Sequence, residues 1–280
     1  PEYTANADAI GALRILEAIK FHGFEKITKF YQAGTSEMFG GTQKKSQDEN
    51  TPFNPKSPYG AGKVYAHWIT KIYREAYGIF ACNGILFNHE SPRRGNSFVS
   101  KKIVETVSKM SQNDKTVLKL GNLNAQRDWG YAPEYVEAMW KMLQKKTPSD
   151  YVISTGKQHT VKQFVNFVLN ELNIKYYWKG KGAKSKCFDK NANCIIECDK
   201  EYFRPLEVDT LLGDSKKARK EFNHNKVCIS GGVGLNCSLN GKILRSNLFD
   251  AIFVQPASGD DGAAIGACLL SHKKLTGNLE

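Results

Sequence analysis

The 280-residue sequence has no apolar run long enough to span a membrane, and it does not open on a charged-then-apolar leader. The expectation is therefore a soluble globular protein located in the cytoplasm. Zinc-finger spacings and aromatic-rich RNA-binding motifs are also missing. The net charge of +12, concentrated at Lys175, Lys179, Lys181, Lys184, Lys186 and Lys190 and again at Lys216, Lys217, Arg219 and Lys220, thus reads as solvated faces and not as a nucleic-acid surface. A basic protein of this kind suits an anionic small substrate. The seven cysteines form no disulfide framework, and their odd number points to free thiols in a reducing compartment. Cys187, Cys194 and Cys198 lie close together but lack a nearby fourth ligand for zinc, so no metal site is expected. Neither G-x-G-x-x-G nor G-x-x-G-x-x-G occurs before Thr35. An opening helix that feeds a strand at residues 27–33 is normally the middle of a doubly wound sheet, so a strand, a Gly-rich phosphate loop and a helix are expected ahead of Pro1.

What is present centres on residues 35–63, TSEMFGGTQKKSQDENTPFNPKSPYGAGK. In an extended segment Thr35 and Glu37 project to one side. Tyr59 and Lys63 are four apart, which on a helix makes them neighbours on one face. Ser57 suits the cap of that helix and Pro58 its first turn. A free tyrosine titrates at about 10, so using it as a base at neutral pH needs about 4 kcal/mol of added preference for the phenolate. A lysine ammonium one turn away supplies positive charge for that purpose. Gly60 and Gly62 weaken such a helix by about 1 kcal/mol each relative to Ala.

The Tyr-x-x-x-Lys pair with a preceding Thr resembles the extended short-chain dehydrogenases/reductases, and a Glu two residues after the Thr narrows the likeness to sugar-nucleotide 4,6-dehydratases. The strings PEYTA, YREAYG, LFNHESPRRG, LGN followed by RDWG, and YFRPLEVDTLLGD are similar to the GDP-mannose 4,6-dehydratase family, in that family's order, over residues 1–222. The resemblance implies an α/β fold: a doubly wound, Rossmann-like parallel sheet, incomplete in this chain, with a smaller α/β substrate domain. It implies NADP as cofactor and GDP-mannose as substrate. By the same resemblance Thr35 hydrogen-bonds the sugar, Tyr59 and Lys63 act on the C4 hydroxyl and the nicotinamide ribose, and Glu37 removes the C5 proton. Tyr3, His89 and Arg94 match cofactor-binding positions; Asn88, Arg127, Arg204 and Glu207 match positions that hold the GDP-sugar. Oxidation at C4 acidifies the C5 proton, water leaves from C6, and the hydride returns there to give a 4-keto-6-deoxy sugar. A sister epimerase or reductase needs the Tyr and Lys but not the carboxylate, so Glu37 favours the dehydratase over that alternative. A non-catalytic fusion is the third reading, because without a pyrophosphate cradle NADP is expected to bind weakly or not at all. The family also implies a dimer or tetramer built partly through the Tyr59 helix.

Further along, the pattern predicts a strand over 80–88 followed by a polar loop, a helix over 133–143, a strand over 151–155, a helix over 161–172 and a strand over 174–178. The Lys-rich stretch from Lys179 to Lys200 reads as an aperiodic surface insertion. The dehydratase pattern stops near Phe222. Residues 223–280 then read as strand, Gly-rich turn, helix, strand, GDDG turn and helix, a βαβα fragment. They resemble carbamoyltransferases of the NodU and tobramycin type, in which the turn at Gly231 and Gly232 approaches a nucleotide and the Asp matching Asp260 is a metal ligand. No independent catalysis is expected of so short a piece, since two parallel strands cannot bury both faces.

Overall fold

The chain begins in helix: α1 (Glu2–Thr4), a π-helical stretch (Ala5–Ile10) and α2 (Gly11–Phe21) follow one another without a break. The computed structural model describes residues 1–41, 46–112, 114–203, 206, 208–222, 226–229 and 251–254, the last two segments as backbone. Two units result, Pro1–Ala218 and Arg219–Glu280. After α2 come β1 (Lys29–Thr35), α3 (Pro58–Tyr77), β2 (Phe80–Leu86), β3 (Asn88–Glu90), α4 (Val99–Ser111) and β4 (Leu118–Leu120). They are followed by β5 (Gln126–Arg127), β6 (Trp129–Tyr131), α5 (Ala132–Gln144), β7 (Tyr151–Ile153), β8 (His159–Thr160) and α6 (Val161–Glu171). The first unit ends with β9 (Tyr176–Lys179), β10 (Lys186–Asp189), β11 (Cys194–Cys198) and the opening of α7 (Lys216–Phe222).

Strands β1, β2 and β7 make one parallel sheet in that order, with Thr35 paired to Leu86 and Leu86 to Ile153 at its carboxyl edge. Successive β2 residues face opposite sides. Ala81 packs with Leu16, Ile19, Tyr73 and Ile79 under α2 and α3, whereas the Cys82 thiol reaches the Met142 carbonyl of α5 at 3.8 Å. Helices therefore cover both faces, which is why β2 reads as a continuous apolar run from Ala81 to Phe87 broken only by Asn83 and Gly84. Asn83 is admitted because Asp150 accepts its side-chain N–H at 3.0 Å and its backbone N–H at 3.2 Å, while Arg74 grips the two carboxylate oxygens at 2.7 and 3.0 Å. Among the described residues no helix is long and apolar enough to cross a membrane.

A second, mixed sheet runs β4-β11-β10-β9 and packs on α4 and α6 around Ile103, Val107, Leu118, Val165, Leu169 and Ile196. This corrects the expectation of an aperiodic insertion from Lys179 to Lys200, since β10 and β11 lie within it. Their inward residues, Cys187 and Ile196, are wholly buried, while Lys186 and Glu197 face each other in the outward register and the pairing slips between Cys187 and Phe188, which hides the two-residue period. The predicted helices at 133–143 and 161–172 appear as α5 and α6, and α3 starts at Pro58 on the Ser57 cap as its residues suggest. In the second unit β12 (Lys226–Ile229) and β13 (Ala251–Val254) pair in parallel. Gly231, Gly232 and Asp260 lie outside the described residues.

Candidate active site

Strand β1 delivers the first pair of side chains at its carboxyl end. Thr35 is still extended (φ −150°, ψ 148°), and its hydroxyl oxygen accepts a hydrogen bond from the Glu37 backbone N–H at 3.3 Å, which turns the chain into a short 3-10 helix, Ser36–Met38. Ser36 and Met38 are buried on either side of the half-buried Glu37. Glu37 is thus not on a strand, as the alternation argument supposed. A capped turn brings it alongside Thr35, because a side-chain acceptor can satisfy an N–H that the ending strand leaves unpaired.

Helix α3 brings the second pair. The Ser57 hydroxyl accepts the Gly60 N–H at 3.0 Å, and Pro58 fills a first-turn position where a missing donor costs nothing. Tyr59 remains 41% exposed, and the Lys63 ammonium lies 5.6 Å from the centre of its ring, so the two share one face. Lys63 Nζ also lies 3.1 Å from Asp8 Oδ1 of the π-helical stretch, with both side chains largely buried. Asp8 holds this lysine's charge in place, and sequence reasoning missed it because nothing local links the two positions. The glycines of α3 explain how these parts meet. A Cβ on Gly60 would come within 3.0 Å of the Glu37 carbonyl oxygen and 3.1 Å of Pro55 Cβ; one on Gly62 would face Asp8 Cβ at 3.5 Å. Gly60 therefore lets the start of α3 close on the Glu37 turn, and Gly62 lets α3 approach the segment that carries Asp8.

The neighbouring strand supplies the adjoining wall. Beyond β2 the Phe87 N–H bonds the Ile153 carbonyl at 3.0 Å, and Asn88–Glu90 then pair in parallel with Trp129–Tyr131. Asn88 is half-buried at this edge. His89 Nδ1 lies 2.8 Å from the Phe87 carbonyl, and its ring stacks on Tyr135 at 4.7 Å and 22°. Tyr135 is buried with its hydroxyl unpartnered among the described residues; burial, with Asp128 and Glu134 nearby, pushes that phenol well above its ordinary range. Arg94 Nε lies 3.1 Å from Glu90 Oε2. Arg127 donates to the Gln126 and Val208 carbonyls at 2.9 and 2.7 Å, a structural tie between β5 and the 208 segment. The next residue, Asp128, is fully buried and accepts from Thr155 N, Thr155 Oγ1 and Gly156 N at 2.6–2.9 Å, which fixes the chain after β7. Tyr3 is 85% exposed on α1. Arg204 and Glu207 lie outside the described residues.

A parallel sheet wrapped on both faces by helices, with a Tyr-x-x-x-Lys helix beside its carboxyl edge, defines the Rossmann-fold short-chain dehydrogenase/reductase class. Solved structures of that class share the fold: a dTDP-glucose 4,6-dehydratase from Bacillus anthracis in complex with NAD (TM-score 0.62, 21% identity, 78% of this chain and 62% of that one) and RMD from Pseudomonas aeruginosa complexed with NADPH (0.64, 16%, 77% and 66%). Within the class, the pattern of the family described as GDP-mannose 4,6 dehydratase matches residues 1–228, and the chain belongs to that family. A GDP-mannose 4,6-dehydratase from Vibrio cholerae serotype O1 is 51% identical over 232 residues (79% of this chain, 62% of that protein), and one from Drosophila melanogaster is 50% identical (79% and 56%). A Yersinia enterocolitica GDP-mannose 4,6-dehydratase is 46% identical over 268 residues, covering 89% of this chain and 72% of its own length. The chain spans about three fifths of the length of the first curated relatives it matches. Residues 197–269 also match the family described as carbamoyltransferase N-terminus.

Proposed function

We infer that this site carries out the 4,6-dehydration of GDP-mannose to GDP-4-keto-6-deoxymannose and water, a lyase reaction assisted by NADP. One observation supports it most: the Thr35–Glu37 turn and the Tyr59–Lys63 helix start meet through Gly60 at the carboxyl edge of the parallel sheet, where ligands of such sheets bind. Bound NADP would supply a reversible hydride acceptor. On this reading Tyr59 takes the C4 hydroxyl proton, Lys63 balances the phenolate and holds the nicotinamide ribose, Thr35 orients the hexose, and Glu37 takes the C5 proton. Tyr3, His89 and Arg94 are assigned to the cofactor, and Asn88, Arg127, Arg204 and Glu207 to the GDP-sugar. The His89 ring, braced by Tyr135, and the Arg94 guanidinium suit a nucleotide with phosphate groups.

The reading extends to residues 1–222 as the nucleotide-sugar region and 223–280 as a carbamoyltransferase-like piece, to a cytoplasmic location, and to a role upstream of GDP-fucose formation. It also includes a homo-oligomer, dimer or tetramer. Tyr65, Trp68 and Ile72, spaced along one face of α3, are 39–50% exposed, as a helix face awaiting a second copy would be.

The test is incubation of the purified chain with GDP-mannose and NADP, beside a version joined at Pro1 to a Gly-rich dinucleotide-binding segment, with mass-spectrometric detection of the product. A 4-keto-6-deoxy sugar in either supports the reading. An epimerised or reduced sugar selects the sister class, and an unchanged sugar in both selects a non-catalytic chain.

A further inference from the structure

The loop after β3 contains an arrangement that the site residues named above do not account for. Arg94 is held on two sides. Its Nε faces Glu90 Oε2 at 3.1 Å, and its Cζ lies 3.6 Å from the centre of the Phe98 ring, a cation–π contact. Among the described residues no acceptor meets its terminal nitrogens, Nη1 and Nη2. Glu90 is itself fixed: the same Oε2 accepts the hydroxyl of Ser100, a buried residue in the first turn of α4, at 2.6 Å. A guanidinium pinned by one edge and one face keeps its remaining two-pronged edge oriented, and such an edge matches two oxygens of a phosphate.

We propose that Glu90, anchored by Ser100, and Phe98 are positioning residues that preset Arg94 as a clamp for a phosphate group. The proposal rests on the reading of this loop as part of the cofactor site, and it names the phosphate-bearing part of the cofactor as the ligand. Glu90 holds Arg94 through charge: Arg94 Nε makes an ion pair with Glu90 Oε2 but no hydrogen bond, whereas the Ser100 hydroxyl donates one to the same oxygen. Glu90→Gln therefore keeps the Ser100 bond and removes the ion pair; Glu90→Ala removes both.

Phenylglyoxal labelling of Arg94, located by peptide mass spectrometry, tests this without enzyme turnover. Inorganic pyrophosphate and, separately, NADP serve as protecting ligands. Pyrophosphate is expected to protect Arg94 in the unsubstituted protein. Glu90→Ala is expected to need about tenfold more of it for half-protection, and Glu90→Gln and Ser100→Ala smaller increases. Circular dichroism confirms that each variant is folded; should Glu90→Ala unfold, Ser100→Ala and Phe98→Leu carry the comparison. Absence of protection by pyrophosphate in the parent, or equal protection in the Ala variants and the parent, overturns the proposal. Protection by pyrophosphate but not by NADP, in the version carrying a dinucleotide-binding segment, leaves the clamp standing and removes the cofactor reading of the loop.

Discussion

Gly60 and Gly62 occupy one helix and have opposite expected responses to a methyl group. At Gly60 a Cβ meets the Glu37 carbonyl oxygen and Pro55 at 3.0–3.1 Å, so Gly60→Ala pushes α3 off the turn that carries Glu37. It is expected to destabilise by about 1 kcal/mol in urea unfolding despite the better helix propensity of Ala. Gly62 has ordinary contact distances, and Gly62→Ala is expected to stabilise by up to about 1 kcal/mol. The sequence showed these glycines only as weak points of a helix; their neighbours come from distant segments. Asp8 and Asp128 escaped notice for the same reason, since one contacts Lys63 and the other Thr155, Gly156 and Gly213 across long chain separations. Asp150 sets a pH dependence. Burial works against its charge, but the two-pronged Arg74 bond, helped by Asn83, holds its carboxyl below the usual range. A depressed acid contributes stability above its unfolded value of about 3.9 and loses it as the pH falls through the lower folded value. Asp150→Asn should therefore cost about 3 kcal/mol at neutral pH and flatten the loss of stability below about pH 4, as read by urea midpoints across pH.

The two helices whose signals were local were the most legible elements. Ser57, Pro58 and the apolar face of α3 define its start, and Thr160 with Gln163 forms a reciprocal capping box at the start of α6. The pair β10 and β11 was not legible. Their apolar residues come as adjacent pairs, Cys187 with Phe188 and Ile195 with Ile196, and not in alternation, and the outward Lys186 and Glu197 pair across the strands at 2.9 Å, which looks like surface chemistry in one dimension. Ile196→Ala should cost about 3 kcal/mol, because the residue is wholly buried in the second core; a loss under about 0.5 kcal/mol would remove these strands from that core. Burial pushes the Cys187 thiol up to about 12, so it should resist a thiol reagent in the folded protein and react only on unfolding.

At the scale of the molecule, the family and the sheet it builds were readable because short strings recur in order, whereas the exposed face of α3 is visible only once the helix is packed. Trp68→Glu places a charge between Tyr65 and Ile72 on that face. In light scattering it should convert the proposed oligomer to a smaller species, and an unchanged mass would exclude α3 from any interface. The account turns on Glu37 as the carboxylate base that removes the C5 proton beside Tyr59. Its most direct test is single-turnover reaction of GDP-mannose with the version carrying a dinucleotide-binding segment, comparing the parent with Glu37→Gln by nicotinamide absorbance and product mass. The account predicts that the Gln variant reduces the nicotinamide and forms a 4-keto hexose that keeps its C6 oxygen, while the parent yields the 4-keto-6-deoxy sugar. A Gln variant that forms the deoxy sugar at the parent's rate, or a parent that forms none, would contradict it.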